Sequence, residues 1–229
     1  MAISTNGITN PSSSGVYYAQ VRSFLGLDAS HHCTNQQDVV YIAFAITAGQ
    51  ALSVSVDPSL SFSVSNLGFN QSINGITANV DISTASANTI PMGRVNPSFN
   101  PIVGQQLTVQ TNAVNGYTVY ASYSAQLNDG ATHTIADWTG TNGAPTAFPV
   151  PGTSAFGYTT SSTTLSGTGT RFQTNKWAAF QTWGYEVARL ATKTSGPDTT
   201  NIGIQVGVSG SQEAGTYTTT ITYVATPTY

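Results

Sequence analysis

Apolar and small polar residues alternate one for one along several stretches of this chain. Leu52, Val54 and Val56 stand between serines, and after Asp57-Pro58 the pattern resumes at Leu60, Phe62 and Val64. Near the C-terminus Tyr217, Thr219, Ile221, Tyr223 and Ala225 line one face, against Thr218, Thr220, Thr222 and Val224 on the other. Successive side chains of a strand point to opposite sides, so a period of two marks strands that bury one face. This predicts an all-β fold, an antiparallel β-sandwich of jelly-roll or Ig-like type, with long loop insertions and at most one short helix. At 229 residues the chain is long enough for one large sandwich, expected over residues 38–229. Residues 1–37 read as an N-terminal tail followed by a strand able to pair outside its own sandwich.

Further strands are predicted at residues 76–82, at Leu107 and Val109, at Tyr117 to Tyr123, and along Ile202, Ile204, Val206 and Val208, where Gly203 and Gly207 interrupt without breaking the period. Pro58 cannot donate a ladder hydrogen bond and should mark the turn between the Leu52 and Leu60 runs. Asn115-Gly116 adopts positive φ readily and predicts a hairpin. Residues 137–170, rich in Gly, Pro, Ser and Thr, read as a long loop excursion, anchored by Trp138, Phe148, Phe156 and Tyr158. The one candidate helix covers residues 176–192, although Trp183, Tyr185 and Val187 also alternate as a strand would. Near the start, Asn6-Gly7, Pro11 and the serines at 12–14 suggest a flexible tail, and residues 16–27 an apolar strand.

Only 7% of residues are Asp, Glu, Lys or Arg, against roughly a quarter in an ordinary soluble protein, so Ser, Thr, Asn and Gln must hold the surface in water. Hydroxyls and amides are far easier to desolvate than charges, and they hydrogen-bond to whatever faces them, so this surface suits close association with other copies. A net charge of −3 offers phosphates no basic field, which argues against nucleic acid as a partner. The longest apolar-rich stretch, 39–46, has the length of a strand and falls far short of the ~18 residues of a membrane span. One cysteine, Cys33, excludes an internal disulfide. Met1-Ala2-Ile3 is not the charged start of a signal peptide. Either a leader has been removed, or the chain is made for the cytosol, as a phage or capsid protein would be.

Several groupings resemble chemistry without the spacing chemistry needs. His31, His32 and Cys33 with Asp38 offer metal-ligand types, but adjacent residues of an extended chain point apart, so no metal is expected. His133 near Asp137 sketches two-thirds of a serine triad, with no Gly-x-Ser-x-Gly elbow beside it. Glu186 and Glu213 are isolated, and no pair of carboxyls is placed to flank a glycosidic bond. Trp138, Trp177 and Trp183 could stack on sugar rings or serve as core and loop anchors. Asn70-Gln71-Ser72 is a glycosylation sequon, and Lys176 or Lys193 could in principle crosslink to an Asn. No catalytic residue, cofactor or enzymatic activity is expected.

The stretches AGTYTTTITYVATPTY (214–229), TNAVNGYTVYASY (111–123) and LSVSVDPSLSFSVS (52–65) resemble predicted secreted β-sandwich surface proteins of reduced-genome candidate-phyla bacteria. More loosely, an apolar N-terminal segment before an all-β body is similar to extracellular filament subunits that exchange a donor strand. The resemblance implies an extracellular or cell-surface location and strand addition between copies. The expected function is therefore a structural subunit of a filament or coat, with the chain itself as partner. Val16, Tyr17, Tyr18, Val21, Phe24 and Leu25 are the candidate contact strand, and Tyr217, Ile221 and Tyr223 the candidate core strand. A surface adhesin or carbohydrate-binding module, with surface glycans as partner, is the alternative, and a phage or capsid protein a third.

Overall fold

The computed structural model describes residues 13–46 and 52–229, and packing divides the chain into two units, Met1–Val56 and Asp57–Tyr229. The tail expected over residues 1–14 lies, but for Ser13 and Ser14, outside the described residues. Among these residues all regular structure is β, with no helix.

The first unit is a long antiparallel hairpin of β1 (Gly15–Leu27) and β2 (Cys33–Ile46). Residues directly opposite one another share a face. Tyr17 with Phe44, Ala19 with Ile42 and Val21 with Val40 therefore make one side apolar, and the Tyr17 and Phe44 rings stack at 5.8 Å. Beyond Arg22 the register shifts, and the chain closes through a short turn at Asp28. The run Leu52, Val54, Val56, expected as a strand, joins no ladder among the described residues. Its alternation is intact, but alternation alone makes no ladder without a paired edge.

The second unit is sandwich-like. One antiparallel sheet has the order β3 (Leu60–Asn66), β4 (Ile102–Thr111), β10 (Asp198–Gly207), β7 (Ala155–Thr160). The other has the order β11 (Ile221–Pro227), β5 (Tyr117–Tyr123), β9 (Tyr185–Leu190). A minor pair, β6 (Thr146–Ala147) with β8 (Lys176–Trp177), lies in the loops. Alternate residues of both sheets fill the core: Val103, Leu107 and Val109 of β4, Ile202, Ile204 and Val206 of β10, Tyr117, Val119 and Ala121 of β5. Phe180, on the loop before β9, joins the layers, with its ring 4.6 Å from Tyr158, 5.3 Å from Phe156 and 6.2 Å from Tyr123. Such aromatic pairs add about 0.5–1.5 kcal/mol each beyond the area they bury.

Four local expectations are corrected. Asn115-Gly116 turns the chain, with Gly116 at φ +75°, but makes no hairpin: β4 and β5 lie in different sheets, and each already has two neighbours. A Cβ at Gly116 would stand 2.0 Å from the Leu190 carbonyl oxygen, so the arch is built for glycine. The candidate helix at 176–192 is β8 and β9, the strand alternative. Val187 is an extra residue opposite the Val119–Tyr120 step of β5, so it and Ala188 are both buried. The excursion at 137–170 contains β7, buried along its whole length. Residues 76–82 form no strand.

That last segment belongs to a loop that covers the outer face of the larger sheet. Gly104 and Gly203 pair across the ladder, and Ile73 lies over both: a Cβ would come within 3.1 Å of Ile73 Cδ1 at Gly104 and within 3.2 Å of Ile73 Cγ2 at Gly203. Asn74 ties the loop down by donating to Thr159 Oγ1 at 2.8 Å and to the Phe172 carbonyl. Glycine in a strand commonly marks such a close approach. Gly203→Val is accordingly expected to lower unfolding free energy by about 1–3 kcal/mol through overpacking against Ile73 and Thr159. Chemical denaturation measures this, and an unchanged midpoint would show that the loop does not bear on the sheet.

Candidate functional site

The titratable residues serve as loop clips. Asp129 accepts from the backbone N–H of Ala131 and of His133 on one oxygen, while its other oxygen lies 2.6 Å from His133 Nδ1. Asp28 repeats the arrangement: its carboxylate takes the N–H groups of Ser30 and His32, with His32 Nδ1 at 3.3 Å. Both loops read Asp-x-x-x-His, at 28–32 and 129–133. This i, i+4 pattern is visible in the sequence and carries neither metal-ligand nor triad spacing. His31 and Cys33 are exposed beside the first clip. Among the described residues no three of His, Cys, Asp and Glu come together.

His133 therefore turns to Asp129 and away from Asp137, and no triad forms. Asp137 accepts from the Tyr123 hydroxyl at 2.7 Å and from Gln126 Nε2 at 3.0 Å, tying β5 to the neighbouring loop. Burial raises its carboxyl above the usual range. Glu186 sits 3.9 Å from Arg189 Nε and caps the Ser166 backbone N–H, while Glu213 is exposed on a separate loop. The tryptophans divide. Trp138, Phe148 and Trp177 pack on one another at 5.7 and 5.3 Å as anchors of the excursion, whereas Trp183 is 59% exposed with its edge against Tyr185. Asn70, Lys176 and Lys193 are exposed.

Two apolar surfaces stand out. The first is the hairpin: Val16, Tyr18, Val21, Phe24, Leu25 and Leu27 of β1 and Val40, Tyr41, Ile42 and Phe44 of β2 are all exposed, and Tyr17 is half-covered by Phe44. Four of the candidate contact residues, Val16, Tyr18, Val21 and Leu25, are more than half exposed. The candidate core residues lie otherwise. Tyr217, Ile221 and Tyr223 are partly buried and pack on the core cluster, while Thr218, Thr220 and Thr222 are exposed.

The second surface is a cleft of about 770 Å³ between the edge strands β3 and β11. Phe62 and Val64 form one wall, Ile221 and Tyr223 the other, and Ile90 and Met92 overhang its mouth. No Asp, Glu, Lys, Arg or His lines it. Its floor holds one buried amide, Gln105, which accepts from the Tyr223 hydroxyl at 3.1 Å and donates to Asn66 Oδ1 at 3.0 Å. Burial pushes the Tyr223 phenol up, so it remains a neutral donor. In a smaller hollow of about 350 Å³ beside Phe99 and Phe148, Asn79 bonds the backbone of Asn100 and Ile102 and Asn100 Nδ2 the Pro149 carbonyl, while Asn100 Oδ1 is buried without a partner among the described residues.

Compared with known proteins, the chain matches no family model and no curated protein in sequence. The reading of its role therefore stands on the surfaces just described.

The clip at Asp129 makes a sign-definite prediction. Hydrogen bonding to Asp129 raises the His133 pKa above its ordinary 6.5, and the same bond lowers that of Asp129 below 3.8. The histidine contribution is complete below about 6.5 and fades as pH rises through the raised value; that of the aspartate is complete above about 3.8 and fades in acid. NMR titration should place the His133 midpoint above 6.5, and Asp129→Asn should bring it down. A midpoint unmoved by that substitution would contradict the clip.

Proposed function

We propose that this chain is a structural subunit of an extracellular filament or surface coat, assembled from copies of itself by β-strand addition. The observation that carries the reading is the hairpin. Two strands alone are marginal in water, yet this pair is long and leaves ten large apolar side chains exposed. Exposed apolar surface of this extent, with Val21, Val40, Ile42 and Phe44 on one face and Val16, Tyr18 and Tyr41 on the other, marks an interaction site.

The strand edges support the same conclusion. Among the described residues β1 has a neighbour on one side only, so its other edge finds no partner there along 13 residues. Proteins usually protect such edges with charge, and β1 carries one charged residue, Arg22. Main-chain pairing at this edge, with Val16, Tyr18 and Leu25 giving side-chain specificity, is the form strand addition takes. The charge-poor surface favours packed contacts over a solvated monomer, and the extracellular setting is what the resemblance to secreted sandwich proteins implies. A second reading, a surface-glycan binder, has the exposed Trp183 beside Tyr185 in its favour.

Electron microscopy and sedimentation of the purified chain separate the two. Regular polymers are expected, and Ile42→Asp with Phe44→Asp should leave soluble subunits whose sandwich unfolds at an unchanged midpoint. A wild-type chain that stays monomeric at its highest attainable concentration contradicts the assembly reading.

A further inference from the structure

We infer that the cleft between β3 and β11 is the acceptor for residues 52–56 of a second copy, which lie in it as an added strand with Leu52, Val54 and Val56 turned inward. The inference rests on the self-assembly reading and names its donor and receptor.

The sandwich is closed on one side and open on the other. At the β7/β9 side Thr160 Oγ1 donates to the Val187 carbonyl at 2.6 Å, and Asn142 Nδ2 reaches both the Tyr158 hydroxyl and the Glu186 carbonyl at 2.8 Å. At the β3/β11 side a single cross-sheet bond, Tyr223 to Gln105, lies at the floor of the cleft, and among the described residues each of its flanking strands has a neighbour on one side only. An added strand there would find unpaired backbone groups along an edge and apolar walls for alternate side chains, the two things strand addition requires.

The donor has the matching properties. Leu52, Val54 and Val56 are 95%, 87% and 81% exposed, and among the described residues the segment joins no ladder. Its apolar side chains fall on one face of an extended chain, with Ser53 and Ser55 on the other. Neither segment nor cleft carries a charge, so nothing charged is desolvated on docking. Lengths agree as well: β3 and β11 are 7 residues each, about 23 Å of edge at about 3.3 Å per residue, and a five-residue strand needs about 17 Å.

A return of the segment onto its own cleft is opposed by Asn112. Its Nδ2 donates to the Asp57 carbonyl and its Oδ1 accepts the Ser59 N–H, both at 2.8 Å. A carbonyl at i and an N–H at i+2 face the same way only in an extended chain, so residues 57–59 are held in line with β3, which begins at Leu60. Reversal between Val56 and Leu60 would break both bonds. A second copy supplies the strand without doing so.

The test is complementation between two full-length variants. Leu52→Ser with Val54→Ser and Val56→Ser removes the donor. Thr220→Arg with Thr222→Arg, at exposed positions lining the cleft, blocks the acceptor. All five positions are exposed, so near-ultraviolet circular dichroism and unfolding midpoints should match wild type, which shows that both variants fold. Each alone should assemble at least about tenfold less readily than wild type. Mixed, they should gain a one-to-one cleft dimer absent from either variant alone, since at the cleft one chain can only accept and the other only donate, and the unaltered hairpin is common to all three samples. Donor-deficient chains that polymerise like wild type, or a mixture without the dimer, would overturn the inference while leaving self-assembly standing. A wild-type chain that never associates would overturn the self-assembly reading itself.

Discussion

Strand β10 lies between β4 and β7 with both faces out of water from Ile202 to Gly207, and much of the surrounding chemistry follows from that position. Its inward residues, Ile202, Ile204 and Val206, meet the second sheet. Its outward residues must meet protein too, which explains why two of them are Gly203 and Gly207. A Cβ at Gly203 would press on Ile73 and Thr159, and one at Gly207 would stand 2.5 Å from the Thr153 carbonyl oxygen. The loops at 67–82 and 149–153 can cover this face only because the strand is bare where they cross it. Where the cover is polar, amides satisfy it: Asn201 donates to the Ser72 carbonyl and accepts from Gln106. A buried polar group left unpaired would be destabilising by about 1–3 kcal/mol, so such pairs hold the covering loops in register.

The same economy of charge extends to the surface. With 7% charged residues the chain has few groups that resist desolvation, and several are consumed internally. Arg171 donates to the carbonyl and side chain of Asn142 and to the Ser166 carbonyl, Asp198 accepts from Tyr117, and Asp129 clips His133. Outside these, a few scattered charges such as Lys176, Lys193 and Glu213 stand among hydroxyls, amides and, at the hairpin and the cleft, apolar side chains. Such a surface is poorly suited to repelling neighbours and well suited to packing against them. This is the physical link between the composition and the proposed role as an assembly subunit.

Alternation was a reliable guide where one face of a strand is buried. The Leu60, Tyr117 and Ile202 runs are β3, β5 and β10, and the run expected from Tyr217 is β11 from Ile221 onward, with Tyr217 on the segment before it. It failed where context decides. Strand β7 reads Ala-Phe-Gly-Tyr-Thr-Thr and carries the period, but prolines and glycines on both sides hid it, and burial of both faces removed the polar contrast. The Asn115-Gly116 turn has the backbone a hairpin needs, yet which sheet the chain enters next depends on partners far away in sequence. Leu52, Val54 and Val56 have the pattern without a partner strand among the described residues. The histidine clips are a local i, i+4 pattern open to inspection, whereas the cleft is formed by residues from Phe62 to Tyr223 and has no local signature at all.

The central claim is that the apolar hairpin and the β3/β11 edge are covered by other copies. Hydrogen–deuterium exchange followed across a dilution series tests it most directly, because amide protection reports which strands are paired. The account predicts that amides of β1, β11 and residues 52–56 gain protection as concentration rises, while those of β10 are protected throughout. Protection at β1, β11 and residues 52–56 that does not depend on concentration would contradict it.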